Sequence, residues 1–384
     1  MKFHFSMINH NLIGQKTLYD MYYWISSGLR SLGHEISFNP NRLENNAINI
    51  LWENFTPDMA SAIEKSDLRF GLIATEIPTP LGFNNRVEQD WQLRWKGFHR
   101  IAHKAEFIWT TVPQAVQFYK RFAPTSFIEF GWDQHLVPDW INNNCEKYEF
   151  DFCFMGILND FRKSILSNLE KHAKVFYSEE LLDWDQMGEV IQRSKIGLGL
   201  KQNETWAIPS PTRIGRFLMA KRGLAHDWTP IRTAQSRFVQ FNEDKKDFCD
   251  FALEMLERDW KTKSEVAFNR YRDELPMKNI MNEVLKNSNI TEGVARTKKQ
   301  FLKRLFFSGN KFEIPELEKT LLSYSNPPQL IEALLNYNIV KFQGKYFAIP
   351  HSLGPVDLLN GIGKIQGMIS SDTYSNIKEK ILNP

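Results

Sequence analysis

From Phe3 to His226, short apolar runs alternate with stretches in which apolar residues recur every three or four positions. Apolar runs of strand length suit strands covered on both faces, and the 3.6-residue period suits the helices that cover them. On this basis Phe3–Ile8 is a first strand, Thr17–Leu32 a helix ended by Gly33, and Glu35–Phe38 a second strand. The alternation goes on through strands at Ala47–Trp52, Arg69–Ala74, Glu106–Thr110 and Ser126–Phe130, with helices at Asp58–Lys65, Trp91–Lys104 and Pro113–Arg121. Such a βαβ series predicts α/β layers around a mostly parallel sheet.

The period breaks over Gly131–Tyr148, which is rich in Trp, Asn and Pro, and then restarts. Strands are expected at Asp151–Met155, Ala173–Tyr177, Ile196–Leu200 and Leu224–His226, and helices at Phe161–His172, Trp184–Ser194 and Pro211–Arg222. Two doubly wound units result: residues 1–135 and 149–290, joined by a linker at 136–148. The chain then reads as helical to about Phe307, and Gln343-Gly344 between Asn338–Phe342 and Lys345–Ile349 predicts a β-hairpin in an appendix spanning 291–384. Doubly wound sheets bind ligands at the carboxyl ends of their strands, so a cleft between the two units is where a ligand is expected.

Composition narrows the class without choosing a function. With 384 residues, 42% apolar and 24% charged, the chain can bury two cores, and a net charge of +3 makes no general case for nucleic acid. Cys145, Cys153 and Cys249 form neither a disulfide framework nor a metal-type spacing, which fits a reducing compartment. The first residues lack the apolar centre of a signal peptide, and no apolar run is long enough to span a bilayer, so a cytoplasmic protein is expected.

Candidate chemistry concentrates at two helix starts. Pro209-Ser210-Pro211-Thr212-Arg213-Ile214-Gly215-Arg216 places a favoured N-cap residue and a first-turn proline before a helix, where free N–H groups and the dipole attract anions. Arg213 and Arg216 share one face near this positive end, an unfavourable arrangement unless an anion compensates. Upstream, Phe152-Cys153-Phe154-Met155-Gly156 followed by Arg162 is a strand whose glycine opens a loop into a helix with an early arginine. Taken singly, each also describes an ordinary strand-to-helix turn or a capped helix with solvated arginines.

In this order the pieces resemble the donor-binding half of GT-B glycosyltransferases, especially the bacterial group that includes CgeB-like proteins. The resemblance rests on Phe154–Gly156, Arg162, the strand Ile196–Leu200, Ser210–Arg213 and Gly223, with Phe130-Gly131-Trp132-Asp133 before the linker. It implies a GT-B fold, two Rossmann-like domains facing a cleft, and a nucleotide-diphosphate sugar held by Gly156, Arg162, Lys201, Glu204, Ser210, Thr212, Arg213 and Arg216. Arginines and helix dipoles would replace a metal on the leaving diphosphate, so no cofactor is implied. One position departs from the pattern: Leu218 stands where many GT-B enzymes carry the glutamate that holds the donor ribose, which leaves Glu204 and Asp227 as candidates by position. Lys345–Pro350 and Ser352–Asp357 also resemble a segment appended to some bacterial glycosyltransferases.

Glycosyl transfer needs a base for the acceptor hydroxyl when the configuration inverts, and the first unit is expected to supply it from His10 or Glu76 at strand ends. Asp183-Trp184-Asp185 has the form of a metal-binding DxD, but its place before a helix makes Asp183 an N-cap instead. Trp91 and Trp95 offer either acceptor stacking or core packing. The basic cluster from Arg296 to Arg304, interleaved with Phe301, Leu302, Leu305 and Phe306, suits an anionic membrane surface, a nucleic-acid backbone or a solvated helix face. The expected activity is sugar transfer to a glycan, a lipid-linked glycan or another hydroxyl acceptor. The alternatives are a nucleotide-sugar epimerase of the same fold and a non-catalytic nucleotide- or nucleic-acid-binding protein.

Overall fold

The computed structural model describes residues 1–136, 147–290, 313–326, 328–342, 344–353 and 367–383. The basic cluster Arg296–Arg304, most of the expected linker and Cys145 lie outside the described residues.

The first half runs β1 (Lys2–Phe5), α1 (Leu12–Ser31), β2 (Glu35–Phe38), β3 (Ile48–Trp52), α2 (Pro57–Glu64), β4 (Phe70–Ala74), a small hairpin β5 (Pro78–Thr79) and β6 (Gly82–Phe83), α3 (Gln89–Ala102), β7 (Ile108–Thr110), α4 (Val116–Tyr119) and β8 (Thr125–Phe127). Six strands form one sheet in the order β2-β1-β3-β4-β7-β8, with every pair parallel. Every residue of β3 and β4 is buried, as central strands covered on both faces require. The expected helix Pro113–Arg121 is shorter in the structure, a 3-10 turn at Pro113–Ala115 followed by α4.

The second half comprises β9 (Phe150–Cys153), α5 (Asp160–Leu169), β10 (Val175–Phe176), α6 (Trp184–Gln192), β11 (Ser194–Gly199), α7 (Pro211–Met219), β12 (Gly223–His226), β13 (Gln240–Phe241), α8 (Phe248–Glu257), α9 (Trp260–Glu274) and α10 (Met277–Asn287). Its sheet is also wholly parallel, in the order β10-β9-β11-β12-β13. In each sheet the chain goes to one side of the first strand and then crosses to the other, so the order reverses between β1 and β3 and again between β9 and β11.

The first helix binds the halves together. Asn11 caps α1 by accepting the Gly14 N–H, and Gly33 ends it with φ of +81°, a left-handed conformation that costs glycine least. Between these ends α1 presents Tyr22 to Phe5 and Phe38 of the first sheet, while Trp24 meets Gly215 of α7 and Tyr23 packs on Trp184 of α6. One continuous apolar cluster therefore extends from Phe3 and Phe5 to Ile214 and Phe217. α10, although it follows the second half in sequence, returns to the first: Met277 and Met281 press on Gly28 of α1, and Trp109 Nε1 donates to Ser288 Oγ at 2.9 Å.

The described residues from 313 onward form a helix and a separate small sheet. α11 (Ile314–Ser325) buries Leu317 and Leu321 in the cluster around Met59 and Ile63 of α2, and Glu318 accepts the Leu43 N–H at 2.8 Å. The expected hairpin is β15 (Tyr337–Phe342) with β16 (Lys345–Pro350), extended to an antiparallel four-stranded sheet by β14 (Gln329–Leu334) and β17 (Ile369–Ser371). α12 (Tyr374–Leu382) covers one face through Ile377 and Ile381.

Candidate functional site

Both helix starts singled out from the sequence stand at the carboxyl end of the second sheet, and the structure joins them. Phe154 leaves β9, and Gly156 follows with φ of +156°. A Cβ on Gly156 would lie 2.7 Å from an Nη of Arg213, so what the glycine admits is that guanidinium. Arg213 donates from Nε and one Nη to Met155 O at 3.1 and 2.8 Å. Arg162, in the first turn of α5, donates to the carbonyls of Ile157, Leu200 and Lys201 at 2.6, 3.2 and 2.8 Å. The Phe154 ring lies between the two, 5.2 Å from the Arg162 guanidinium carbon and 5.0 Å from that of Arg213.

Both arginines are at least nine-tenths buried, and among the described residues neither has a carboxylate within ion-pair distance. Burial pushes the Arg162 guanidinium down to about 10, and burial together with the charge of Arg162 pushes Arg213 down to about 9. Backbone carbonyls supply dipoles but no full charge, so two adjacent buried cations remain short of an anion. The start of α7 adds to the deficit. Ser210 occupies the cap position but makes no capping bond, its Oγ resting 3.4 Å from Thr212 Oγ1, so the first-turn N–H groups of the helix receive no acceptor from the cap side chain.

Arg216 behaves differently. It forms a two-pronged ion pair with Asp20 of α1, both side chains being more than nine-tenths buried, so the anion that answers its charge belongs to the protein. Lys201 Nζ lies 3.5 Å from Asp227 Oδ2 and donates to Glu204 O at 3.2 Å. Glu204 is exposed and lines neither cavity described below, whereas burial raises the Asp227 carboxyl. Leu218 is 2% exposed and belongs to the core. Asp183 caps α6 in a reciprocal capping box with Gln186, which accounts for that aspartate as expected.

Two cavities meet at the N-terminus of α7. One, of about 150 Å³, lies between α1 and the second sheet and is walled by Lys16, Asp20, Gly156, Leu181 and Arg213. The other, of about 260 Å³, spans the halves, with Thr75 and Thr111 on one side and Lys201, Arg213 and His226 on the other. Ser210, Thr212 and Arg213 border both. His226 donates from Nδ1 to Asp227 O at 2.7 Å and burial pushes it down to about 3, so Nε2 is a bare acceptor, without a partner among the described residues.

The candidate bases of the first half follow strands, as expected, but stand outside these walls. Glu76 is occupied on both oxygens, by Arg94 at 3.2 Å and by Asn84 at 2.5 Å. Burial, reinforced by the charge of Arg94, pushes His10 down to about 3. Sequence reasoning missed Glu53, which follows β3 at the switch point: it is 2% exposed, accepts from Thr75 Oγ1 at 2.6 Å, and its Oε2 has no partner among the described residues. The signal was available, since Glu53 comes directly after the apolar end of a strand. Trp95 packs on Phe83 and Phe118, while Trp91 lies under Arg94.

No family model and no curated protein matches this chain. Among solved structures it is similar to the T4 phage DNA-modifying enzyme β-glucosyltransferase, in a complex with its UDP-glucose substrate, at 8% identity and a TM-score of 0.45 over 75% of this chain and 100% of that one. It is also similar to AviGT4, a glycosyltransferase of avilamycin A biosynthesis, at 8% identity and 0.45 over 75% and 97%. A third is a mutant of S. aureus TarM in complex with UDP, Fondaparinux and α-GlcNAc-glycerol, at 11% identity and 0.42 over 63% and 55%. These likenesses are loose, and the chemistry of the site rests on its own geometry.

Proposed function

We propose that this protein is a glycosyltransferase of the GT-B type, transferring a sugar from a nucleotide-diphosphate donor to a glycan or other hydroxyl acceptor in the cytoplasm, without a metal. One observation carries the reading. Two buried arginines that meet no carboxylate among the described residues, Arg162 and Arg213, converge beside a helix N-terminus without a side-chain cap, in the cleft where the carboxyl ends of two parallel sheets meet. A diphosphate supplies the missing charge. During transfer it also gains charge as the glycosidic bond breaks, so fixed cations and N–H dipoles stabilise the transition state more than the ground state. The cavity that reaches Lys16 and Asp20 is read as accommodating the nucleoside, and the one that reaches Thr75 the sugar and acceptor.

The test is a thermal-shift panel of UDP, GDP, ADP and their sugar conjugates, with and without EDTA. One nucleoside diphosphate is expected to stabilise the protein by about 2.7 kcal/mol at one hundred times its dissociation constant. EDTA should leave that shift in place, and Arg213→Lys should shrink it. A flat response across the panel would sink the donor site.

A further inference from the structure

We propose that Thr75 and Glu53 form a proton relay for the acceptor hydroxyl, with Thr75 as the group that touches the acceptor and Glu53 as the positioning residue that takes the proton. This rests on the glycosyl-transfer reading and deepens it. Thr75 immediately follows β4 and lines the larger cavity, across from Lys201 and Arg213. Its hydroxyl proton is committed to Glu53 Oε1 at 2.6 Å. What Thr75 Oγ1 has left for the cavity is therefore a lone pair, which suits it to accept from an O–H and not to donate to a carbonyl.

The charges around Glu53 explain why it is suited to receive a proton. The groups that face it are Glu76, Arg94, Thr75 and Tyr119, and His10 lies near enough to feel Arg94. Two carboxylates, Glu53 and Glu76, thus share one guanidinium, and Arg94 is hydrogen-bonded to Glu76. Among the described residues the cluster holds one negative charge more than it answers, in a place where Glu53 is 2% exposed and its Oε2 has no partner. One proton settles that imbalance. In accord with this geometry, burial and the charge of Glu76 push the Glu53 carboxyl up to about 7, against the pull of Arg94, so the group is poised between its two forms near neutrality.

In the transfer step the acceptor oxygen forms its bond to the anomeric carbon while the bond from that carbon to the diphosphate oxygen breaks, its electron pair leaving with the nucleoside diphosphate. The acceptor proton passes to Thr75 Oγ1 as the proton of Thr75 passes to Glu53 Oε1. Glu53 ends neutral, and the charge gained by the diphosphate falls beside Arg213 and the start of α7.

The nucleotide sugar that stabilises the wild-type protein most, from a panel of UDP-, GDP- and ADP-sugars, serves as the probe. Release of its nucleoside diphosphate with water as acceptor is followed from pH 5 to 9. The wild-type rate should rise through a limb near pH 7. Glu53→Gln should lower the plateau by roughly 10²–10⁴-fold, the ordinary worth of a general base, and abolish the limb. Thr75→Val should do the same and Thr75→Ser should restore the wild-type profile, which a purely structural role for this half-buried residue does not predict. The dissociation constant of the nucleoside diphosphate should not change in any of them. A Thr75→Val or Glu53→Gln protein with the wild-type rate and limb overturns the relay while leaving the donor site standing. A wild-type protein that binds a nucleotide sugar but never releases the nucleotide also overturns it. A wild-type protein that binds no member of the panel overturns the donor reading, and the relay with it.

Discussion

Replacing Asp20 by alanine should weaken the contact between the two halves of the protein about as much as truncating a large side chain of the apolar core. The carboxylate is 6% exposed and the Arg216 guanidinium 9% exposed, and two nitrogens of Arg216 are directed at the two oxygens of Asp20. Removing Asp20 leaves a cation whose other hydrogen-bonding contact is Met187 Sδ, a weak acceptor. An uncompensated buried partner of this kind costs about 3–5 kcal/mol, whereas an exposed pair would cost under about 1 kcal/mol. Because the pair joins α1 to α7, the loss falls on the contact between halves. At roughly 2–4 °C per kcal/mol for domains of this size, the melting midpoint should drop by about 10 °C. Urea denaturation of Asp20→Ala, Arg216→Met and Asp20→Leu combined with Arg216→Met forms the decisive comparison. The double variant, which leaves no orphan charge, should recover most of the loss. A cost below about 1 kcal/mol for Asp20→Ala, or a double variant no better than the single one, would refute the claim that this pair is a buried, mutually dependent tie.

Three other perturbations test separate parts of the structure. In Gly97→Ala the new Cβ would lie 2.1 Å from Phe55 O, a backbone atom that cannot swing aside, so α3 must lift from α2 and urea titration should register a loss of about 3 kcal/mol. Gly156→Ala pushes against the Arg213 Nη at 2.7 Å and places a side chain at φ of +156°; calorimetry should show nucleoside diphosphate affinity falling about tenfold, in keeping with a misplaced charge-assisted hydrogen bond, and urea titration a loss of roughly 1–3 kcal/mol from the strained backbone. His226 is held neutral by burial, down to about 3 from an ordinary 6.5. Its contribution to stability is present above pH 6.5 and is lost as the pH falls towards 3, so His226→Phe should flatten the acid limb of the stability profile, and an unchanged limb would contradict the assignment.

Much of the architecture follows from local pattern. The expected second strand matches β2 at both ends, and the strands on either side of Gln343-Gly344 pair antiparallel, as the turn signal between them required. These features depend on side-chain period and turn chemistry, which are properties of neighbours in the chain. The start of α7 was legible for the same reason, since Ser210 and Pro211 announce it within two residues.

What the chain order could not reveal is which charges meet. Arg213 and Arg216 are alike in sequence, both on one helix face after one proline, yet Arg216 finds Asp20, nearly two hundred positions earlier, while Arg213 finds carbonyls and the Phe154 ring and, among the described residues, no carboxylate. That difference separates a structural tie from a site short of an anion. Likewise Glu76 looked the better placed carboxylate at a strand end, but Asn84 and Arg94 occupy it, and the less conspicuous Glu53 keeps, among the described residues, an unpartnered oxygen behind Thr75. Local spacing determines where helices start and which way strands face. The partner of a buried charge depends on how α1, α7 and the strand ends pack in space, and only the tertiary structure decided that.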